Sequence, residues 1–279
     1  MKLNSKLKVL KVIVVIFLVI LICIGIFAIY IYNRYKVSTK IGEDEFANIE
    51  VTDDNIAVTV LGYHSINDDE SIKSPIIIGK DRLREHLQAI EDLGFTTISV
   101  SDLENYLENG KPIPRKSVLI TFDDGYLDNY LLAYPLLREF NMKATIFVVP
   151  SLLNENPYMT VDQVKELSEN GIDIQSHTFS HKDLNSMSYD DQLNEFIKSK
   201  KYLEKLTSKK ITAIAYPKGL FNDDTLKASK DAGYDIGFTV KKGFAYKNEN
   251  NFKINRVLID YTYSKYDIEK VLIESLISK

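Results

Sequence analysis

Ser117-Val118-Leu119-Ile120-Thr121-Phe122 runs directly into Asp123-Asp124-Gly125, and this junction decides how the chain folds. The run is apolar and β-branched without a polar alternation, the pattern of a strand buried on both faces. Consecutive strand residues point to opposite faces, so Asp123 and Asp124 can share one site only where the strand has ended. Gly125 supplies the permissive backbone for that bend. An isolated Asp-Asp-Gly is an ordinary surface turn; here it terminates a buried strand.

Outward from this strand, similar runs alternate with segments of helical period from Ile56 onward. The predicted strands are Ala57–Tyr63, Thr96–Val100, Ser117–Phe122, Ala144–Val149, Ile172–Gln175, Ile211–Ala215, Asp235–Thr239 and Arg256–Ile259. Between them, helices are predicted over Asp81–Leu93, Asp128–Phe140, Val161–Glu169, a longer stretch from about Asp190 to Leu203, and Asn222–Ala232, with Tyr266–Ile277 closing the chain. Gly94, Gly171 and Gly233 stand where three of these helices stop. Such alternation implies an α/β fold with a parallel sheet wrapped by helices, and the strand spacing suits a (β/α) barrel. A barrel of that kind carries its working residues on the loops after the strands.

The second informative stretch, His177-Thr178-Phe179-Ser180-His181, lies just beyond the strand ending near Gln175. Its two histidines are four residues apart, so both rings can project from one side of a tight helical loop. A divalent metal in an open site needs about three protein ligands and a vacant position for water. One of the two Asp residues with His177 and His181 supplies that set, and the other carboxylate is left free to accept a proton. Thr178 stands where zinc proteases of the His-Glu pattern carry their Glu, so the base has to come from elsewhere. Two His and one carboxylate suit zinc first, with cobalt, nickel, manganese or iron as alternatives.

The N-terminal forty residues follow a different logic. Val12 to Tyr32 is apolar throughout and long enough to cross a bilayer, with Lys2, Lys6, Lys8 and Lys11 ahead of it and Arg34 and Lys36 after it. The heavier basic flank favours an N-terminus in the cytoplasm and the remainder outside. A cleaved signal peptide is the rival reading, but the run is longer than the usual signal core and no small-x-small site follows it. The expected organisation is therefore a cytoplasmic N-terminus and membrane anchor over 1–36, a polar tether over 37–55, and one domain over 56–279. Cys23 is the sole cysteine, which excludes a disulfide framework, and Ile22 before it disfavours a lipid-attachment signal. From residue 41 onward 28 basic residues face 39 acidic ones, a net charge of −11 that argues against binding a nucleic-acid backbone.

In combination, Thr121-Phe122-Asp123-Asp124-Gly125 and the His177–His181 motif resemble the NodB-type polysaccharide deacetylases of carbohydrate esterase family four. The resemblance covers most of residues 57 to 260. It implies a distorted (β/α) barrel, a divalent metal, and removal of N- or O-acetyl groups from glycans. It further implies Asp123 as base, Asp124, His177 and His181 as metal ligands, and the backbone N–H of Tyr126 as the donor to the oxyanion.

Two departures from the family pattern matter. Ala215 in Ala215-Tyr216-Pro217-Lys218-Gly219 stands where many relatives carry an Arg that orients the catalytic Asp, so the orientation of Asp123 is left open. Pro217 would shape a groove-lining loop there, with Tyr216 either a sugar platform or ordinary packing. The second departure is that no histidine follows His181, although many relatives place their acid His near the C-terminal end of the domain. His64, at the end of the first strand, is then the expected acid, with Asp260 as a conceivable partner for its imidazole, while His86 reads as a surface or boundary residue. A Tyr-His at a strand end with the Ala-Tyr-Pro form is similar to the deacetylases of biofilm poly-β-1,6-N-acetylglucosamine. The expected partner is thus an N-acetylglucosamine polysaccharide at the cell surface. Peptidoglycan, chitin-like oligomers and acetylated xylan are the alternative substrates, and a non-catalytic glycan-binding protein is the alternative class.

Overall fold

In the computed structural model, which describes Gly25, Phe46 and residues 48–278, eight short parallel strands form one curled sheet. They are β1 (Thr59–Tyr63), β2 (Thr96–Thr97), β3 (Ser117–Phe122), β4 (Thr145–Val148), β5 (Asp173–Ser176), β6 (Ala213–Ala215), β7 (Ile236–Phe238) and β8 (Val257–Leu258). Their order is β7-β6-β5-β4-β3-β1-β8, with β2 beside the start of β3. A single parallel bridge, Phe238 to Ile254, joins the segment ahead of β8 back to β7. The fold is therefore α/β with a curled, half-barrel parallel sheet, and the predicted strands stand in it with ends displaced by up to three residues. The predicted membrane span, Val12 to Tyr32, lies outside the described residues. Among the described residues no helix is long and apolar enough to cross a membrane.

Parallel strands covered on both faces should be apolar throughout, and β1 and β3 are buried at every position. The helices that cover them are α1 (Lys80–Asp92), α2 (Val100–Asn109), α3 (Tyr134–Glu139), α4 (Val161–Glu169), α5 (Tyr189–Thr207), α6 (Asp223–Asp231) and α7 (Lys265–Ile277). Ahead of α3 lies a π-helical turn, Asn129–Ala133. Helix starts follow local chemistry: Ser99, Thr160, Asn222 and Ser264 each close a reciprocal capping box with the residue three positions on. The first of these corrects the expected strand Thr96–Val100. The Ser99–Asp102 box starts α2 at Val100, so the extended segment is only two residues long.

The stretch expected to be a tether overlaps the fold at its end. Val51–Thr52 pairs antiparallel with Ile113–Pro114, and the Tyr106 hydroxyl donates to the Asp54 carbonyl at 2.6 Å.

What the sheet does for function is set by register. Tyr63 lies opposite Phe122, which brings the next residues of each strand, His64 and Asp123, side by side at the same rim. On the other side, Val148 pairs with Ser176 and Ser176 with Ile214, so His177 and Ala215 leave their strands together.

Candidate active site

The backbone turns abruptly after β3. Asp124 (φ 72°) and Gly125 (φ 78°) are both left-handed, and Asp is among the few non-glycine residues that tolerate this conformation. The turn puts the two adjacent carboxylates into one site with different partners.

Asp123 is 2% exposed, and Arg256 meets it. The guanidinium donates from Nη1 to Oδ1 at 2.8 Å and from Nη2 to Oδ2 at 2.7 Å, a bidentate pair. Arg256 is itself fully buried. Its Nε donates to the Thr239 carbonyl at 2.9 Å and Nη1 also reaches the Thr121 hydroxyl at 3.2 Å. Burial alone would raise the Asp123 pKa, but the nearby charges of Arg256 and His177 together with the guanidinium hydrogen bond outweigh it and hold the carboxyl below its ordinary range. Arg256 thus occupies the orienting role left open by Ala215. It approaches from the segment before β8, 133 residues along the chain from Asp123.

Asp124 instead presents one oxygen to two imidazoles. Its Oδ1 lies 3.4 Å from His177 Nε2 and 3.2 Å from His181 Nε2. An ion held at about 2.0–2.1 Å with tetrahedral angles separates its ligand atoms by about 3.4 Å, so both Asp124 contacts stand at metal-ligand spacing, and all three ligand atoms lie within 4.8 Å of one another. The outer contacts agree. His177 Nδ1 is 2.8 Å from the Ala215 carbonyl and donates to it, so in the neutral imidazole the Nε2 lone pair faces Asp124. His177 is buried, whereas the His181 side chain is 26% exposed, which leaves the open side of the cluster toward solvent. Burial opposes the charge on Asp124, but its hydrogen bonds with His177 and His181 and the charges that His177 and His64 carry when protonated keep its pKa well below the usual carboxylate range.

His64 is the fifth member of the group the sequence pointed to. Its Nε2 lies 3.9 Å from Asp123 Oδ2, its side chain is 16% exposed, and its Nδ1 is buried without a hydrogen-bond partner among the described residues. Burial lowers its pKa, and the attraction of Asp123 and Asp124 offsets that only in part. Its backbone is fixed by Asn129, whose side-chain amide donates to the His64 carbonyl at 2.7 Å and to Asp128 at 2.9 Å. Asp128 in turn accepts from the Ser65 hydroxyl at 2.5 Å. Tyr126 follows the turn and stacks on Tyr158, with ring centres 5.2 Å apart. The backbone bridge between them is made by the flanking groups, Leu127 N–H to Pro157 O and Met159 N–H to Gly125 O, and does not engage the Tyr126 N–H.

Tyr216, Pro217, Asp260 and His86 stand outside this cluster, which corrects the groove reading of the first two, the pairing of Asp260 with His64 and the surface placement of His86. Tyr216 is fully buried, its hydroxyl donating to the Phe252 carbonyl at 3.2 Å and its ring against Phe221, so it offers no face to a sugar. Pro217 beside it is buried as well, and this loop does not line a groove with either residue. Asp260 accepts from the Thr262 N–H and hydroxyl, closing a local turn, and does not serve His64. His86, expected at the surface, is buried with both nitrogens engaged, Nδ1 by the Tyr63 hydroxyl at 3.3 Å and Nε2 by the Tyr263 carbonyl at 2.9 Å. Arg256 had gone unnoticed. Its signal was a charged residue entering an apolar run, which demands a buried partner.

Comparison with known proteins places this site in a family. The polysaccharide deacetylase family model matches residues 110–237. YxkH of Bacillus subtilis (strain 168), a protein assigned to the polysaccharide deacetylases, is 35% identical over 227 residues, covering 81% of this chain and 80% of that one. The chain belongs to the polysaccharide deacetylase family. It is a deacetylase-type hydrolase by that membership, in agreement with the resemblance carried by its two motifs. The Streptococcus pyogenes deacetylase PplD, solved in complex with acetate, superposes with a TM-score of 0.73 at 31% identity, over 78% of this chain and 99% of that one. The poly-β-1,6-N-acetyl-D-glucosamine N-deacetylase of Staphylococcus aureus (strain MSSA476) is 31% identical over 179 residues. That match spans 58% of this chain and 60% of the staphylococcal protein.

Proposed function

We propose that this deacetylase is a membrane-anchored, extracellular, metal-dependent enzyme that removes acetyl groups from N-acetylglucosamine units of a polysaccharide, poly-β-1,6-N-acetylglucosamine in particular. The observation that carries the metal dependence is the convergence of Asp124 Oδ1 with the Nε2 atoms of His177 and His181 at metal-ligand spacing. The polymer is suggested by the staphylococcal relative, and the anchored, outward-facing arrangement by the apolar run Val12 to Tyr32 with its basic flank and the polar residues after it.

In this reading Asp124, His177 and His181 hold the ion, zinc first. A divalent ion in that position polarises the acetyl carbonyl and makes the attacking water more acidic. Asp123 accepts the water's proton. Arg256 keeps it ionised and aimed, with lone pairs left over on both oxygens after the bidentate contact. The oxyanion that forms on the acetyl group meets the Tyr126 N–H. His64 is the acid. A neutral imidazole next to a newly protonated Asp123 can take up that proton, and because burial lowers its pKa it gives the proton up readily at Nε2 to the departing amine.

The test is acetate release from poly-β-1,6-N-acetylglucosamine by the zinc-reconstituted protein, run beside β-1,4 chitin oligomers, peptidoglycan and acetylated xylan. Preferred turnover of the β-1,6 polymer supports the assignment. A clear preference for any of the other three replaces the substrate and leaves the chemistry, and glycan binding with no acetate released from any of them rejects the enzymatic reading.

A further inference from the structure

We propose that Glu195 is a positioning residue for the metal site: from helix α5 its carboxylate fixes the turn between the two histidines so that His181 closes on Asp124. The inference rests on the metal reading of Asp124, His177 and His181 and adds a determinant to it. Glu195 is 7% exposed. One carboxylate oxygen accepts the backbone N–H groups of Phe179 at 3.1 Å and Ser180 at 2.8 Å, and the other accepts the Ser180 hydroxyl at 2.8 Å. Both oxygens are spent on the two residues that immediately precede His181.

The two histidines differ in how much help they need. His177 leaves directly from β5, its N–H bonded to the Val148 carbonyl and its ring to Ala215. His181 comes after the chain has left the sheet. Thr178 (φ 64°) and His181 (φ 55°) are both left-handed, a conformation that costs a non-glycine residue about 1–2 kcal/mol. Such a turn persists only where the surroundings over-determine it. The Ser151 N–H bonds the Phe179 carbonyl at 3.0 Å and the His181 N–H bonds the Thr178 hydroxyl at 3.0 Å, while Glu195 supplies the remaining three bonds. The same helix face grips the Phe179 ring, with Lys198 Nζ 4.4 Å from its centre and Tyr202 edge-on at 6.4 Å. Without the carboxylate, two backbone N–H groups lose their partner and the turn loses the contacts that select its conformation. His181 would then have to be ordered by the metal itself, and affinity falls.

The experiment is zinc affinity by competition with a chromophoric chelator on the purified chain, comparing wild type, His181→Ala, Glu195→Ala and Glu195→Gln. Glu195→Ala is expected to bind about 10–100-fold more weakly, the usual cost of removing a group that supports a ligand. Glu195→Gln keeps an acceptor oxygen for the two N–H groups, and the Ser180 hydroxyl can turn to accept from its amide, so its affinity is expected close to wild type. Wild type that binds one zinc, lost in His181→Ala, together with an unchanged affinity in Glu195→Ala overturns this inference alone. Wild type that binds no zinc overturns the metal reading and this inference with it. If Glu195→Ala does not fold, Ser180→Ala replaces it: several-fold weaker binding supports the role of the clamp, and wild-type affinity overturns it.

Discussion

The two sides of the site, Asp123 with Arg256 and Asp124 with its histidines, differ in what they need to be complete. On the first side every buried charge already has its counter-charge: the guanidinium matches both oxygens of Asp123 and gives two further donors to Thr239 and Thr121. On the second side three ligand atoms converge at 3.2 and 3.4 Å, one of them a carboxylate oxygen and two of them imidazole nitrogens that are acceptors in their neutral form. Acceptors facing acceptors are repulsive unless a metal ion, or protons on the imidazoles, sit among them. The difference teaches that adjacent residues in a sequence can belong to opposite parts of a mechanism, one finished by folding and the other finished by its ligand.

The strongest way to break this comparison is Asp123→Asn. It keeps the shape and leaves the zinc ligands untouched, so acetate release should fall by about 10⁴-fold, the upper range for loss of a general base, while zinc stoichiometry stays at wild type. Loss of zinc in that variant would mean the two sides are not separable. Next comes Arg256→Met, which strands Asp123 as a buried charge without its partner. Breaking a buried pair of this kind costs about 3–5 kcal/mol, read as a shift in the denaturant midpoint at unchanged slope, and the same variant should lose activity.

A similar contrast holds between two histidines. His86 has both nitrogens engaged, and His64 has a buried nitrogen with no partner among the described residues. Burial pushes the His86 pKa down to about 4, so the fold holds it neutral while the unfolded chain titrates near its ordinary value. Because the folded pKa is depressed, its contribution is complete above pH 6.5 and is lost as pH falls from there toward 4. The loss is about 3 kcal/mol, and it should be absent from the stability–pH profile of His86→Gln. His64→Ala should leave stability near wild type and lower kcat by about 10²-fold with little change in KM. Unchanged turnover in that variant removes His64 from the mechanism without disturbing the metal cluster.

Much of this was legible in the sequence because the site is built from local signals read at strand ends. Asp123 and Asp124 close a buried run, His177 and His181 follow the next strand but one, and parallel strands bring their C-terminal ends to a common rim. His64 was reachable by the same rule, since the register of β1 on β3 sets it beside Asp123. Arg256 was not, because its pairing with Asp123 spans 133 residues and leaves no periodic trace. Tyr216 was left between two readings and His86 was misplaced for a related reason: their polar atoms are satisfied by Phe252 and Ser229 in one case and by Tyr63 and Tyr263 in the other, contacts that only the assembled layers provide. Helix α2 was missed because Thr96-Thr97-Ile98-Ser99-Val100 is β-branched and reads as strand, whereas the capping box at Ser99 outweighs that propensity.

The most direct test of the account is acetate release from poly-β-1,6-N-acetylglucosamine before and after verified removal of metal, with zinc added back. The account predicts turnover that disappears with the metal, returns with one equivalent of zinc, and does not return in His181→Ala. Undiminished turnover by the metal-free protein would contradict it.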